Sequence, residues 1–289
     1  MKNLLPKTDA FARIDLVGDA SVDFGQRLFS RNITGLSKDS GVLSLFLSAE
    51  AKVLGLFWVF RTEGGLSLFT PERQYQELIG VIEKYHFAEA FTTQPGPTVS
   101  AYWENAQTGH LGKDAELRDG YGAKTAAGTF CGMWKNTCFT FELDAEKEEK
   151  EPLPETDLKW ELHRLQNLIP RKPDDYDTND LVFDIGFETL CEQAKGCYIG
   201  QEVVERVRSR GGSASRRLAL VEWEKEPLPR EVVMHPTEGQ ALGRTTSSFA
   251  QVDREKFLGF AYVRRGSEIG QMVVLQNGGI SGRISRFIS

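Results

Sequence analysis

Residues 195–202 carry the sequence KGCYIGQE. In this segment Gly196 and Gly200 bracket a cysteine and a tyrosine. Glycine adopts backbone conformations that other residues avoid, so the spacing predicts a tight turn at this point. The turn is expected to hold Cys197 at an exposed position, immediately before a helix that starts near Gly200.

The sequence around Cys197 favours a thiolate. Lys195 adds positive charge two residues before it, and the amide end of the helix that starts near Gly200 adds more. Cys197 is therefore the candidate functional thiol, and its chemistry suits a redox-sensitive group. The alternative is a buried cysteine at the glycine-rich start of a helix, since free cysteine is commonly a small buried hydrophobe. Cys131 and Cys138 lie in β-rich sequence and are expected in the core.

The octapeptide and the arginine downstream of it resemble the K-G-C-Y-x-G-Q-E signature of the YgfZ family, folate-binding relatives of the glycine-cleavage T-protein. Shorter stretches at 17–20, 163–170 and 243–247 extend this resemblance over most of the chain. It implies an α+β, T-protein-like fold in which ferredoxin-like units and a small C-terminal β-barrel surround a hole that takes tetrahydrofolate or a derivative. The motif residues are Lys195, Gly196, Cys197, Tyr198, Gly200, Gln201, Glu202 and Arg206.

Periodicity along the chain predicts three units. In 1–95 the order strand, helix, strands, helix, strand is ferredoxin-like, with a helix that opens at Pro71, is capped by Thr70, and precedes a last strand over 87–93. The resemblance implies that residues 96–212 form a second α+β unit that completes the folate-binding domain and carries the motif. Short alternating strands over 213–289 predict a small β-barrel or a sandwich, and the resemblance implies the barrel.

Three residues are candidates for holding folate. Gln166 stands where the resemblance implies a glutamate that holds the pterin ring, and an amide can still pair with pterin nitrogens, with less charge assistance. Arg206 and Arg210 belong to a dense basic stretch, and guanidinium groups suit the carboxylates of a folate glutamate tail. The alternative for this stretch is a solvated helix face. Glu202 and Arg206 also have the spacing of an ion pair within a helix.

The resemblance separates two functions. T-proteins place an acidic residue in a turn after the second strand, whereas residues 51–56 of this chain read AKVLGL and contain no carboxylate. We therefore expect no aminomethyl transfer. The prediction is a tetrahydrofolate-binding accessory protein that supports iron–sulfur cluster assembly or repair in enzymes, tRNA-modifying enzymes among them. The alternatives are an active folate-dependent aminomethyltransferase of the glycine cleavage system and an unrelated barrel-containing enzyme with a reactive thiol.

Composition limits the partners. The net charge of −6 argues against direct nucleic-acid binding, which usually needs a basic face. The longest apolar run, 53–60, is too short to cross a membrane, and the first residues lack a secretory signal. The four cysteines lack the spacing of a zinc site, so we expect no metal and free thiols. A cytoplasmic protein is predicted, with folate and either iron–sulfur enzymes or cluster-assembly proteins as partners.

Overall fold

The structure is a computed structural model that describes residues 3–107, 117–143, 154–211, 214–253 and 256–288. Its contacts divide the chain into two compact units. The first contains Met1–Asp157 and Leu190–Glu202, and the second contains Leu158–Thr189 and Val203–Ser289. The boundaries at 95 and 212 stay a prediction.

The first unit contains a ten-stranded sheet in which all neighbouring strands are antiparallel. The strand order is β1-β7-β10-β9-β8-β3-β4-β5-β2-β6. The strands are β1 (Asn3–Leu4), β2 (Phe11–Val17), β3 (Ser40–Leu47), β4 (Val53–Thr62), β5 (Gly65–Pro71), β6 (Thr92–Pro95), β7 (Val99–Asn105), β8 (Tyr121–Lys124), β9 (Phe130–Trp134) and β10 (Thr137–Leu143).

Two helices, α1 (Ala20–Leu28) and α2 (Tyr75–Tyr85), pack their apolar faces against this sheet. Phe24 of α1 and Leu78 of α2 are among the buried residues of the core cluster. Burial of a phenylalanine side chain contributes roughly 1.5–3 kcal/mol to the stability of the fold. Phe57 points into the same cluster from β4.

Successive side chains of a strand point to opposite faces of its sheet. Trp58, the residue after Phe57, therefore points to the other face of β4 and packs in a second group of side chains. The ring of Trp58 lies 6.4 Å from that of Phe139 on β10, and Phe69 of β5 lies 4.8 Å from Phe141. Strands far apart in the sheet order thus contact each other, which shows that the sheet curls. A Cβ at position 132 would lie 2.6 Å from Trp58, so Gly132 leaves room for the indole.

Two predictions in this unit were wrong in detail. Thr70 does not cap a helix, because a short 3₁₀ turn (Glu72–Gln74) precedes α2 and the buried Thr70 hydroxyl donates to the carbonyl of Leu56 at 3.4 Å. The strand expected over 87–93 begins only at Thr92, and Phe87 is 86% exposed. The apolar Phe87 suggested a strand, but its side chain is exposed and its amide donates to the Glu89 carboxylate at 3.1 Å.

The second unit is built on a closed barrel with the order β11-β14-β13-β12-β15-β16. Trp223 and Val233 are in its core, and Gly282 lies so close to Trp223 that a Cβ there would come within 2.4 Å. This confirms the predicted C-terminal barrel, although the short strand β12 was not anticipated. Its strands are β11 (Arg216–Trp223), β12 (Val232–Met234), β13 (Ala241–Asp253), β14 (Lys256–Arg264), β15 (Met272–Leu275) and β16 (Ser281–Phe287).

Three helices complete the described chain. They are α3 (Pro154–Gln166), the short α4 (Val182–Ile185) and α5 (Gln201–Ser209). Helix α5 starts one residue after Gly200, as the sequence predicted. The KGCYIGQE segment therefore leads directly into a helix.

Candidate functional site

The KGCYIGQE segment forms a loop, 195–200, that we call the thiol loop. The chain just before it is fixed to the residues that follow α1. The Ser30 hydroxyl donates to the Leu190 carbonyl (2.8 Å), the Glu192 amide donates to the Ser30 carbonyl (2.9 Å), and the Asn32 amide donates to the Glu192 carboxylate (2.9 Å). The thiol loop thus starts from a position fixed by the end of α1.

Lys195 continues this attachment. Its buried ammonium donates to the carbonyls of Gln26 and Phe29 at the C-terminus of α1, at 2.5 Å each, while the Gln26 amide donates to the Lys195 carbonyl. The nitrogen also lies 5.1 Å from the centre of the Tyr198 ring. Lys195 caps a helix, because a cation suits the carbonyl end of a helix dipole. The sequence predicted instead that the positive charge of Lys195 would lie beside the Cys197 thiol.

Burial changes the charge state of Lys195. Desolvation lowers the pKa of its amine from 10.5 to about 8, and the nearby Glu192 carboxylate opposes this shift. A neutral amine keeps two N–H groups, which match the two carbonyl acceptors of α1. The cap can therefore remain in place when the proton is lost.

Glycine is needed at two positions of the thiol loop. Gly196 has φ +93° and Gly200 has φ +84°, both in the left-handed region. A Cβ at Gly200 would lie 2.5 Å from the carbonyl oxygen of Ser48, whereas nothing lies within 4 Å of a Cβ at Gly196. Gly200 therefore brings the loop directly against the turn between β3 and β4.

Cys197 is exposed, whereas the other three cysteines are buried. The prediction that Cys131 and Cys138 lie in the core is confirmed. Burial, with Cys131 nearby, raises the pKa of Cys138 to about 12, so this thiol stays protonated and unreactive. Among the described cysteines, Cys197 alone is open to a reagent or a partner.

The remaining motif residues divide into buried and exposed. Tyr198 is 6% exposed, and its backbone exchanges hydrogen bonds with Gln201: the Tyr198 amide donates to the Gln201 side-chain oxygen (3.3 Å), and the Gln201 amide donates to the Tyr198 carbonyl (3.2 Å). Glu202 and Arg206 are exposed. The side-chain ion pair along α5 joins Glu205 to Arg208 at 2.9 Å, in place of the one expected between Glu202 and Arg206.

The candidate folate residues lie at the surface. Gln166 is exposed at the end of α3, where its carbonyl accepts a hydrogen bond from Arg286 at 2.5 Å. Arg206 and Arg210 are exposed as well. No hydrogen bond or ion pair joins Gln166 to either arginine in the part of the chain that the structure describes. The side chains of Gln166, Arg206 and Arg210 are available to a ligand, but no such bond within the described residues holds the three together.

The basic stretch also includes Arg216, and this residue is less available to a ligand than the sequence suggests. Arg216 donates to Asp180 (2.5 Å) and Asp184 (3.0 Å), and its guanidinium lies 4.7 Å from the centre of the Tyr262 ring. Desolvation raises the pKa of Asp184, and the hydrogen bond from Arg216 opposes this shift. Arg216 therefore pairs with two buried carboxylates and is not available to the glutamate tail of folate.

Sequence reasoning did not find Arg164, the most buried cation of the second unit. Its guanidinium donates to the Asp175 carboxylate (2.8 Å), to the Ile169 carbonyl (3.1 Å) and to Glu161 (2.8 Å). Thr246 of β13 donates to the second Asp175 oxygen at 2.8 Å. The signal was available: an arginine among the apolar positions of α3 can be buried only if carboxylates meet it.

Comparison with solved structures defines the class of the fold. The structure resembles the glycine cleavage system aminomethyltransferase T of Bartonella henselae with a TM-score of 0.78, over 100% of this chain and 88% of that chain, at 15% sequence identity. This confirms the predicted fold class, an α+β, T-protein-like fold with a barrel.

Comparison with curated proteins gives a more particular likeness. The chain is 21% identical over 216 residues to the tRNA-modifying protein YgfZ of Aliivibrio fischeri (strain MJ11). The match covers 70% of this chain and 65% of that protein, so it spans less than two thirds of the relative's length. No protein-family model matches the chain. The resemblance to YgfZ and to T-proteins, inferred from the motif, is confirmed.

The described residues lack two features. None of their helices has the length and apolarity needed to span a membrane. Their His, Cys, Asp and Glu side chains form no group of three that could hold a metal ion.

Proposed function

We propose that this chain is a tetrahydrofolate-binding accessory protein that supports iron–sulfur cluster assembly or repair in enzymes, without aminomethyl transfer. The observation that carries the proposal is one exposed thiol, Cys197, on a loop held by glycines and a buried lysine within a T-protein-like fold. The similarity to a protein named as tRNA-modifying supports tRNA-modifying enzymes as clients. The proposed location is the cytoplasm.

The strand that would carry a catalytic acid supports a role without transfer. Residues 51–56 contain no carboxylate, and Val53 and Leu56 within them are buried apolar side chains. The nearest carboxylate in sequence, Glu50, is exposed on the turn and accepts a hydrogen bond from the Ser48 hydroxyl at 2.8 Å. Loss of a positioned acid or base typically costs about 10²- to 10⁴-fold in rate.

The available side chains fit folate chemically. Gln166 has an exposed amide that can both donate to and accept from a pterin ring. Arg206 and Arg210 are exposed and form no ion pair within the described residues, so both can meet the carboxylates of a glutamate tail. When bound, tetrahydrofolate would supply a one-carbon carrier, while this chain binds and orients it.

The role proposed for Cys197 is that of a transient ligand or redox-sensitive group. A single cysteine cannot hold an iron–sulfur cluster, because such clusters usually take four protein ligands. A client enzyme or a cluster-assembly protein would therefore supply the others. The exposed position of Cys197 allows such a partner to reach it.

A ligand titration tests the folate half of this proposal. Tetrahydrofolate should raise the thermal unfolding midpoint, since a ligand at a hundred times its Kd adds about 2.7 kcal/mol to the stability of the native state. Arg206→Ala with Arg210→Ala should weaken binding of polyglutamylated folate more than that of a truncated pterin. Arg283→Ala, in an exposed pair with Glu222, is the matched control. An unchanged midpoint with every folate form would exclude folate binding.

Three further measurements test the rest. Incubation with aminomethyl-lipoyl carrier protein and tetrahydrofolate should yield no methylenetetrahydrofolate at T-protein rates. Rate-resolved alkylation with peptide mapping should label Cys197 well before the buried cysteines. Cys197→Ala should fail to restore iron–sulfur enzyme activity in cells lacking the native copy, whereas the control Cys138→Ala should restore it. Full restoration by Cys197→Ala would exclude a chemical role for the thiol.

A further inference from the structure

A buried arginine in the first unit has a guanidinium that makes no hydrogen bond within the described residues, although its backbone amide donates to Ser44. Arg31 follows α1 and is 8% exposed. Its Nε is fully buried and has no hydrogen-bond acceptor, and no acceptor within the described residues meets the rest of its guanidinium. The carboxylate of Glu192 comes within 3.5 Å of Nε, but that oxygen already accepts the Asn32 amide. An unmet buried donor such as this Nε is costly, which favours an acceptor near the guanidinium.

A second arginine lies beside the same aromatic ring. The guanidinium carbon of Arg31 is 4.9 Å from the centre of the Tyr121 ring, and that of Arg118 is 4.7 Å from it. Arg118 is exposed and begins a turn in which the Tyr121 amide donates to its carbonyl at 2.9 Å. Both cations thus lie within 5 Å of the centre of one ring, and each is stabilised by the electrons of the ring face.

The charges of this cluster do not cancel. Arg31 faces one carboxylate, that of Glu192, whose side chain is 39% exposed. Arg31, Arg118 and Glu192 together carry one net positive charge. Asp119, the residue after Arg118, has a charged carboxylate that accepts the Lys135 amide at 2.5 Å.

The backbone leaves room next to Arg31. Gly120 has φ +76°, and a Cβ there would lie 3.5 Å from Nη1 of Arg31 and 3.9 Å from the side chain of Leu190. Any other residue would place its side chain beside this nitrogen. The absence of a side chain at Gly120 leaves space for an acceptor atom next to the guanidinium.

We propose that Arg31 and Arg118 form an oxyanion-binding site that takes a phosphate or carboxylate group of a ligand, seated beside Gly120. Guanidinium groups pair with such oxyanions through two parallel hydrogen bonds, and a dehydrated guanidinium binds them more strongly than a solvated one. Arg31 provides the buried donors, and Arg118 closes the site from the surface. Neither role requires folate, so the site stands apart from the proposed function.

The experiment titrates the full chain with inorganic phosphate and, separately, with glutarate, at ionic strength held constant with sodium chloride. Binding is followed by calorimetry and by the Arg31 Nε–H resonance in ¹⁵N-labelled protein. We expect saturable binding of at least one probe, weakened about tenfold or more in Arg31→Met and in Arg118→Met. Arg61→Met, which removes an arginine from β4 of the same sheet, should bind like the wild type.

The two probes distinguish the sources of the oxyanion. Binding of phosphate alone assigns the site to a phosphate ester, and binding of glutarate alone assigns it to a carboxylate. If Arg31→Met does not fold, Arg118→Met decides the matter, because Arg118 is exposed. The proposal is overturned if neither probe saturates, or if Arg118→Met binds as tightly as Arg61→Met. Because neither probe contains a pterin, that result would leave folate binding untouched.

Discussion

Replacing Lys195 by methionine should change how the stability of the protein depends on pH. The amine has a pKa of about 8 in the folded chain and 10.5 as its ordinary value. Between these values the unfolded chain binds more protons than the folded one, so the free energy of unfolding rises as pH increases through this window. One pKa unit corresponds to about 1.4 kcal/mol, so the full gain is about 3 kcal/mol, and most of it falls between pH 7 and 10.

Urea denaturation of the wild type and of Lys195→Met at pH 7, 8.5 and 10 measures this gain. The difference in unfolding free energy between the two proteins should grow by about 2.5 kcal/mol from pH 7 to 10. Lys84→Met, at an exposed position of α2, is the control and should show no such growth. A difference that stays constant over this range would refute the buried, helix-capping position of Lys195. The alkylation rate of Cys197 at pH 7 should change little, because the ammonium donates to α1.

Two other substitutions test the framework of each unit. Arg164→Met should destabilise the second unit by about 3 kcal/mol or more, because it leaves the buried Asp175 carboxylate without its cation. The control Arg283→Met removes an exposed ion pair and should cost under about 1 kcal/mol of stability. Equal losses in chemical denaturation would contradict this account of the buried pair. Gly200→Ala should cost about 2 kcal/mol or more, because its Cβ would meet the Ser48 carbonyl, whereas Gly196→Ala should cost about 1 kcal/mol from backbone strain alone. Similar midpoints for the two alanine variants would argue against the close contact at Gly200.

Much of the fold was predictable because its signals are local. Alternating apolar residues identify most barrel strands, and the helical spacing of apolar residues identifies α2. The errors fall where local preference and tertiary contacts disagree. Phe87 is apolar yet exposed, and Thr70 has the chemistry of a cap yet lies in a buried strand. The pairing of ten strands into one curled sheet depends on contacts between distant segments, which periodicity does not encode.

The site was predictable in its residues and less so in their roles. Glycines around a cysteine correctly indicated a turn that exposes Cys197. Sequence spacing placed the Lys195 charge beside that thiol, but the side chain reaches α1, which is more than 160 residues away in the chain. The buried donors of Arg31 had no signal of their own, since an arginine that follows a helix is usually solvated.

The thiol loop therefore contains two kinds of residue, and the difference has a consequence for function. Lys195 and Gly200 hold the loop against α1 and the turn after β3, so a change at either should act first on stability and only then on activity. Cys197 is exposed between them and contributes little to packing. A substitution there can remove function while the fold stays intact. A loss of activity at Cys197 with an unchanged unfolding midpoint would thus report chemistry, whereas the same loss at Lys195 or Gly200 would report the framework that presents the thiol.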